Sequence, residues 1–422
     1  MLYTKPRGTE DWLPESNNKY QSLIQLLSLL SRLNGYQLIS TPIFENANLF
    51  IRSVGETSDI VKKEFYNFKD KGDREMVLRP EGTASIIRAV VEEKLLNKQP
   101  SPIKLSYCGP MFRYERPQSG RLRQFNQFGI ECINTNSIFD DADVLNFAVS
   151  ILKTLNIKNY EVCINNIGNF ESRNKWINEL REYFNKYKNQ LSELSQSRID
   201  KNPLRILDDK EDNKKDFVKK APKIDKYLSK QEKDEFNLLS ESLKLLDIKF
   251  KVDDTLVRGL DYYTNFIFEI NSTDQRLLGQ PTIIGGGRYN NLVKELGGEN
   301  CSCIGFALGL ERLLLVCEYE NIKLPVNDTI DVVICNLADK TQPTALLLLS
   351  LLRQQGISVV CKFNTFKLPQ QFKYAESLKA KYCIILGEKE LKDKKIIIKN
   401  QKTMKQDIVE IDKIVNYFKR AS

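Results

Sequence analysis

Apolar residues recur at helical spacing over 20–33, where Leu23, Leu26, Leu27 and Leu30 share one face, and Gly35 follows as a natural C-terminal cap. A strand is expected next, over 36–40. Phe65-Tyr66-Asn67-Phe68 ahead of Asp70-Lys71-Gly72-Asp73 has the pattern of a strand entering a turn. A helix over 83–96 follows the turn-like Arg79-Pro80-Glu81-Gly82. Residues 104–115 and 122–133 read as two strands of a long-looped hairpin, joined by the polar run Arg116-Pro117-Gln118-Ser119-Gly120-Arg121. Between 170 and 250 the composition shifts to Lys, Glu, Asn and Ser with few β-branched residues. Helical patterns around 176–187 and 235–246 predict a helical insertion there. Strand character resumes at 266–270 and 282–284, before a helix over 308–319.

Leu324-Pro325-Val326-Asn327-Asp328 is a linker candidate. Beyond it, strands at 330–335, 359–362 and 382–386 alternate with helices at 341–355 and 368–380, which predicts a small α/β domain with a mostly parallel sheet. No apolar run approaches the roughly 20 residues that a membrane span needs. The run 344–352 is too short, and the leucines of 23–33 are interrupted by Gln25, Ser28 and Ser31. Met1-Leu2-Tyr3-Thr4-Lys5 carries neither an apolar core nor an Arg/Ser-rich leader, so an unexported, cytoplasmic protein is expected. An organelle-encoded origin, such as a plastid, would look the same.

Two counts narrow the chemistry. The 422 residues include nine Cys, whose one tight pair, Cys301-x-Cys303, lacks the spacing of a zinc cluster, so reduced and buried thiols are expected. They include no His. A Ser-His-Asp triad, a Cys-His pair, a His-liganded metal and imidazole acid/base catalysis are therefore excluded. Any catalysis must use carboxylates, Arg, Lys, Tyr, Mg²⁺ or the substrate itself. The formal net charge is +9, and residues 328–422 carry 17 Lys/Arg against 10 Asp/Glu, so the surplus is concentrated there. A basic terminal domain suits an anionic partner, nucleic acid foremost, and equally a solvated lysine-rich surface.

The hairpin is the most informative stretch. Alternation along a strand puts Arg113, Glu115, Arg123, Phe125, Gln127 and Glu131 on one face and Phe112, Leu122, Phe128 and Ile130 on the other. Arginines, carboxylates and one Phe suit an anionic aromatic ligand, and the same pattern also suits a solvated sheet face with cross-strand ion pairs. Ile304-Gly305-Phe306-Ala307-Leu308-Gly309-Leu310-Glu311-Arg312 is a small-residue strand entering a helix, where an Arg can face an anion. Close strand packing gives the same glycines. Gly285-Gly286-Gly287-Arg288-Tyr289 is either a bulge or a loop lining a site, and Arg258-Gly259-Leu260-Asp261-Tyr262-Tyr263 sets an Arg, an acid and two Tyr before a strand.

Taken together and in this order, these segments resemble the class II aminoacyl-tRNA synthetases, and specifically the histidyl-tRNA synthetase family, over nearly the whole chain. Arg52-Ser53-Val54-Gly55-Glu56-Thr57-Ser58-Asp59-Ile60-Val61 near Pro42 resembles the dimer-forming first motif and its continuation. Residues 112–131 resemble the second motif and 304–312 the third. Leu256-Val257-Arg258-Gly259-Leu260-Asp261-Tyr262-Tyr263-Thr264 and Gly285-Gly286-Gly287-Arg288-Tyr289 resemble the two histidine-specific signatures.

The resemblance implies an α+β catalytic domain on an antiparallel sheet over 1–325, with the helical insertion at about 170–250, and a small α/β anticodon-binding-like domain over 328–422. It implies a homodimer that activates histidine with ATP and passes it to the 3′ end of tRNA(His). Arg113 and Arg258 would hold the α-phosphate, Glu115 and Phe125 adenine, and Arg312 the distal phosphates. Glu81, Gly82, Thr83 and Gln127 would surround the substrate's amino group, Glu131 and Tyr263 would meet the imidazole, and Tyr262 and Tyr289 would wall the pocket. Gln118 would face the acceptor end of the tRNA. Mg²⁺ is implied by the chemistry, with no ligand cluster legible. A bend in kcat/KM between about pH 5.5 and 7.5 would belong chiefly to the substrate histidine. Tyr114 and Asn126 depart from the family's usual His, and Asn290-Asn291 from its usual Asp-Gly. The rivals are a catalytically inactive regulatory relative, as in histidine biosynthesis, and a synthetase of the same subclass for another amino acid.

Overall fold

The computed structural model describes residues 3–55, 58–209, 211–326 and 329–421. Glu56 and Thr57 of the first-motif stretch and Asn327 and Asp328 of the linker lie outside the described residues. The chain forms two compact units, Met1–Leu324 and Pro325–Ser422.

The first unit is built on an eight-stranded sheet in the order Gln37–Leu38, Ile103–Phe112, Gln124–Ile133, Cys303–Gly309, Thr282–Arg288, Thr264–Ser272, Tyr160–Asn166, Lys251–Val252. Its six central strands pair antiparallel, and only the two short edge strands pair parallel. The pleat sorts the side chains. Phe128 and Ile130 face the core made with Phe268, Phe306 and the helices Pro14–Leu33, Ile138–Thr154 and Leu310–Tyr319. Tyr107, Met111, Tyr263 and Ile267 belong to a second buried cluster, with Ile86, Ile87 and Val90 of the helix Thr83–Glu92.

Helix Pro14–Leu33 begins with Pro in its first turn and buries Leu23 and Leu27, and Gly35 ends it at φ +79°. The helix expected over 83–96 is two helices, Thr83–Glu92 and Leu95–Lys98, because Lys94 turns the chain at φ +53°. The hairpin strands are shorter than expected, ending at Phe112 and resuming at Gln124, with residues 113–123 forming the loop between them. The three glycines 285–287 lie within the strand Thr282–Arg288, with a register shift between Gly287 and Arg288, so the bulge reading holds over the loop.

The region 170–250 divides in two. Trp176, Leu180, Phe184, Leu204, Ile206 and Ile224 form their own buried cluster, whereas Leu239 and Leu243 of helix Lys230–Leu245 belong to the main core beside helix Ile138–Thr154. Lysine-rich composition makes the whole stretch look uniform, although its last helix carries an apolar stripe for the main sheet.

The second unit has five strands in the order Val359–Cys361, Val332–Asn336, Tyr382–Leu386, Lys395–Asn400, Gln406–Glu410. The first three are parallel, and the last two pair antiparallel. The sheet is therefore mixed, which corrects the mostly parallel expectation. The two added strands carry only three and two apolar residues, flanked by Lys, Asn, Gln, Asp and Glu, so neither shows a period-2 pattern in the sequence. Among the described residues no helix is long and apolar enough to cross a membrane.

Candidate active site

A cavity of about 800 Å³ opens on the face of the large sheet away from the main core, lined by Glu81, Thr83, Arg113, Glu115, Phe125, Gln127, Glu131, Arg258, Tyr262, Tyr263, Tyr289 and Arg312. Two of the expected residues do not line it. Gly82 packs against Tyr107, whose ring carbon would stand 2.2 Å from a Cβ at that position, and so lets the helix Thr83–Glu92 start close to the sheet. Gln118 is exposed at the hairpin loop, bridged to Arg121.

One end of the cavity is a buried acid cluster. Glu131, 1% exposed, accepts hydrogen bonds from Thr83 Oγ1 at 2.7 Å and from the Tyr289 hydroxyl. Glu81 accepts from the backbone N–H groups of Thr83 and Ala84 at 3.0 and 2.8 Å and from the Tyr262 hydroxyl at 3.4 Å. Burial raises Glu131 from 4.5 to about 8, opposed by the two hydroxyl donors, and burial likewise raises Glu81. Thr83 and Tyr289 thus orient Glu131, a part beyond those the resemblance implied. The cluster exists because Gly305 has no side chain. A Cβ there would lie 2.1 Å from Glu131 Oε2 and 2.4 Å from the Ile130 carbonyl oxygen.

The other end gathers guanidinium groups. Arg113 donates Nε to the Pro80 carbonyl at 2.9 Å and lies 5.3 Å from the centre of the Phe125 ring. Arg258 pairs with Glu269, and Thr282 Oγ1 donates to the same carboxylate at 3.1 Å. Gly285 makes room for Arg258, since a Cβ there would be 2.2 Å from Nη2, so the two separate signatures meet at one contact. Arg312, at the start of helix Leu310–Tyr319, donates to the carbonyls of Thr282 and Gly120 and to Gln280. Burial lowers Arg113 and Arg121, and it lowers Arg312 to about 10 with help from the charges of Arg121 and Arg113. Arginines crowded and withdrawn from water favour a polyanion between them. Arg258 is held above its ordinary value by Glu269 and Tyr263 against the cost of burial.

Strict alternation fails beyond the strand ends. Arg123 leaves the cavity: its guanidinium lies 3.8 Å from the centre of the Tyr114 ring, and its Nε donates to the Glu115 carbonyl at 3.1 Å. Arg121 takes its place, pairing with Glu115 on the cavity wall, and Leu122 lines the cavity although the pattern put it on the opposite face. Once the chain leaves the sheet at Phe112, parity no longer tells which way a side chain points. Arg121, Asp208, Glu269 and Glu311 are cavity residues that the sequence reasoning missed. Glu269 was within reach of it, because it stands on the strand already recognised. Asp208 comes from the insertion, where no local pattern marks it. Tyr114 and Asn126 stay off the cavity, Asn126 donating its backbone N–H and side-chain amide to Glu311. All nine cysteines are free thiols, and among the described residues no three Cys, Asp or Glu side chains stand together as metal ligands.

Residues 8–313 match the family described as histidyl-tRNA synthetase. The chain belongs to the histidyl-tRNA synthetase family. Residues 331–421 match a second family, described as an anticodon binding domain. The chain is 48% identical over 420 residues to a histidine–tRNA ligase of Malacoplasma penetrans, covering 99% of this chain and 98% of that one. It is 42% identical over 419 residues to the histidine–tRNA ligase of Anoxybacillus flavithermus, covering 99% of each. The apo histidyl-tRNA synthetase of S. aureus superposes with a TM-score of 0.85 at 37% identity, covering 99% of this chain and 100% of that structure. The α+β unit on its antiparallel sheet and the smaller α/β unit are those of this family.

Proposed function

We propose that this chain is a histidine–tRNA ligase, which joins histidine to AMP at the expense of ATP and then transfers the histidyl group to the 3′ end of tRNA(His). One observation carries the reading: the buried Glu131 cluster and the arginine cluster share a single cavity. Glu131 supplies an acceptor for an imidazole N–H, while Arg113 and Arg258 in the same cavity supply donors for a phosphate. The substrate carboxylate, already ionised, forms a bond to the α-phosphorus as the bond to pyrophosphate breaks, so no general base is needed. Catalysis is then positioning plus stabilisation of developing charge, which guanidinium groups perform without histidine.

In this reading Glu115 and Phe125 hold adenine, Arg312 the distal phosphates, and Glu81, Thr83 and Gln127 the ammonium group. Tyr263 reaches the imidazole, with Tyr262 and Tyr289 as walls, and exposed Gln118 meets the acceptor end. Bound on the triphosphate, Mg²⁺ would neutralise part of its charge. A phosphate-bound Mg²⁺ takes only one or two protein carboxylates, and Glu269 and Asp208 on the cavity wall suit that need. The inactive regulatory alternative is not favoured, because the relatives at 42–48% identity over the whole length are ligases. The experiment is ATP–pyrophosphate exchange across the standard amino acids: exchange dependent on histidine alone is expected, and its absence or dependence on another amino acid overturns the reading.

Three further outcomes follow from it. Gly305→Ala drives a methyl group into Glu131 and is expected to raise KM for histidine at least about tenfold with KM for ATP little changed, since the displaced group faces only the amino acid. An unaltered KM for histidine counts against Glu131 as its acceptor. A chain ending near Pro325 is expected to keep histidine activation yet charge tRNA at least about tenfold less efficiently at low salt, with the deficit shrinking as salt weakens the phosphate contacts of the full chain. Equal charging by both chains shows that the basic unit does not grip tRNA. The chain is also expected to dimerise, in the cytoplasm or the translating compartment that holds its tRNA. Leu38 at the sheet edge is 68% exposed, and Phe44 and Phe68 form an exposed aromatic pair on a separate three-stranded sheet of Phe44–Asn46, Glu75–Leu78 and Tyr66–Lys69, apolar surface of the kind a partner covers. Light scattering is expected to give about twice the 48.8 kDa chain mass, and a monomer at micromolar concentration refutes the dimer.

A further inference from the structure

The loop that carries Arg258 has almost no regular structure of its own, running from the end of strand Lys251–Val252 to the start of strand Thr264–Ser272. Its carbonyl groups therefore need donors from elsewhere. Asn165 Nδ2 donates to Leu256 at 2.9 Å. Those of Gly259, Asp261 and Tyr263 are served by the insertion. Arg173, in the first turn of helix Phe170–Lys186, donates Nη1 to the Tyr263 carbonyl at 2.6 Å and Nη2 to the Asp261 carbonyl at 3.2 Å. Arg205, in the short helix Leu204–Leu207, donates Nη2 to the Gly259 carbonyl. The Asp261 carboxylate completes the clamp, accepting from Asn202 Nδ2 at 3.1 Å and meeting Arg205 at 3.4 Å. Val257 joins the insertion's own buried cluster, so the loop is anchored there at both ends of the Arg258 segment.

None of Arg173, Asn202, Arg205 or Asp261 lines the cavity, whereas Arg258, Tyr262 and Tyr263 between the clamped carbonyls do. We infer that Arg173 and Arg205 are positioning residues for adenylate formation, acting on Arg258 through the backbone of its loop. Each guanidinium presents several donors in a rigid plane, so two carbonyls, or a carbonyl and a carboxylate, are fixed relative to one another by one side chain. A misplacement of about 1 Å at a reacting centre costs on the order of 100-fold in rate. The clamp also gives the insertion a part in the first chemical step, before any tRNA is bound.

The inference rests on the ligase reading, and wild-type histidine-dependent exchange tests that reading first and by itself. Arg173→Met and Arg205→Met are then measured for kcat and KM in the wild-type and Arg258→Lys backgrounds, with Tm recorded for each. Residues that act through Arg258 are non-additive with it. Expected is a fall in kcat of about 10- to 100-fold in the wild-type background, with KM for histidine nearly unchanged, and a fall of less than about threefold once Arg258 is already Lys. Arg205→Lys keeps a cation able to reach Asp261 and the Gly259 carbonyl, which one nitrogen of Arg205 meets together, but loses the rigid plane, and it is expected to recover part of the rate. Equal falls in both backgrounds, which simple loss of folded enzyme would give, overturn the inference, as does an unchanged kcat at an unchanged Tm.

Discussion

Arg258→Lys is expected to lower kcat for histidine-dependent ATP–pyrophosphate exchange by about 100- to 1000-fold, the range found when one preorganised donor to a developing charge is lost. The charge survives the substitution and the geometry does not. Arg258 lies flat against Gly285, pairs with Glu269 and stands 5.8 Å from the centre of the Tyr263 ring. A planar fork meets Glu269 and an α-phosphate together from that position, whereas a single ammonium must choose between them. KM for histidine is expected to move far less than kcat, because the loss falls mainly on the transition state. An unchanged kcat would remove Arg258 from the reacting centre.

Glu131→Gln is expected to abolish efficient use of histidine, raising its KM about 100-fold, and at the same time to stabilise the empty protein in alkali. The sign follows from linkage. Glu131 is held at about 8 in the fold against 4.5 ordinarily, so the protonated form is the one the fold prefers. Its favourable contribution is complete below about 4.5 and is lost as pH rises through about 8. Wild type and variant should therefore share a Tm near pH 5 and separate by pH 9, with the Gln variant the more stable. A variant less stable at pH 9 would mean that burial does not raise Glu131 in the empty site.

The same value alters the expected pH profile. An acceptor carboxylate and an imidazole share one titrating proton in the complex, so kcat/KM should be bell-shaped, with an acid limb near 6.5 from free histidine and an alkaline limb near 8 from Glu131. A bend due chiefly to the substrate is thus only half of the profile. A triazole analogue should erase the acid limb and leave the alkaline one, and Glu131→Gln should do the reverse. An acid limb that stays with the triazole would belong to Asp208, which removal from water and the nearby Glu269 carboxylate raise to about 6.

The parts legible in the sequence are those where one periodicity runs uninterrupted. Within Gln124–Ile133 the pleat separates Phe128 and Ile130 from Phe125, Gln127 and Glu131, and the cavity receives the second group. Leu23 and Leu27 enter the core from the helix that their spacing predicts. The missed parts depend on contacts remote in the chain. Arg121 replaces Arg123 because the loop beyond Phe112 reverses which side chain faces inward, a matter of loop geometry rather than pattern. Asp208 and the Arg173 and Arg205 clamp come from a segment whose composition reads only as solvated helix. The glycines are legible as a motif, and their reason is not. Gly285 and Gly305 are needed by Arg258 and Glu131, residues 27 and 174 positions away.

The cavity is walled by carboxylate, amide, phenol and guanidinium groups, and neither it nor any other part of the chain contains an imidazole. In a proton or nitrogen magnetic-resonance spectrum of the complex, every imidazole signal must therefore come from the bound amino acid, with no protein background to subtract. The protonation and tautomer of the ring against Glu131 become directly readable in the unlabelled, unmutated protein, so the substrate serves as its own spectroscopic reporter.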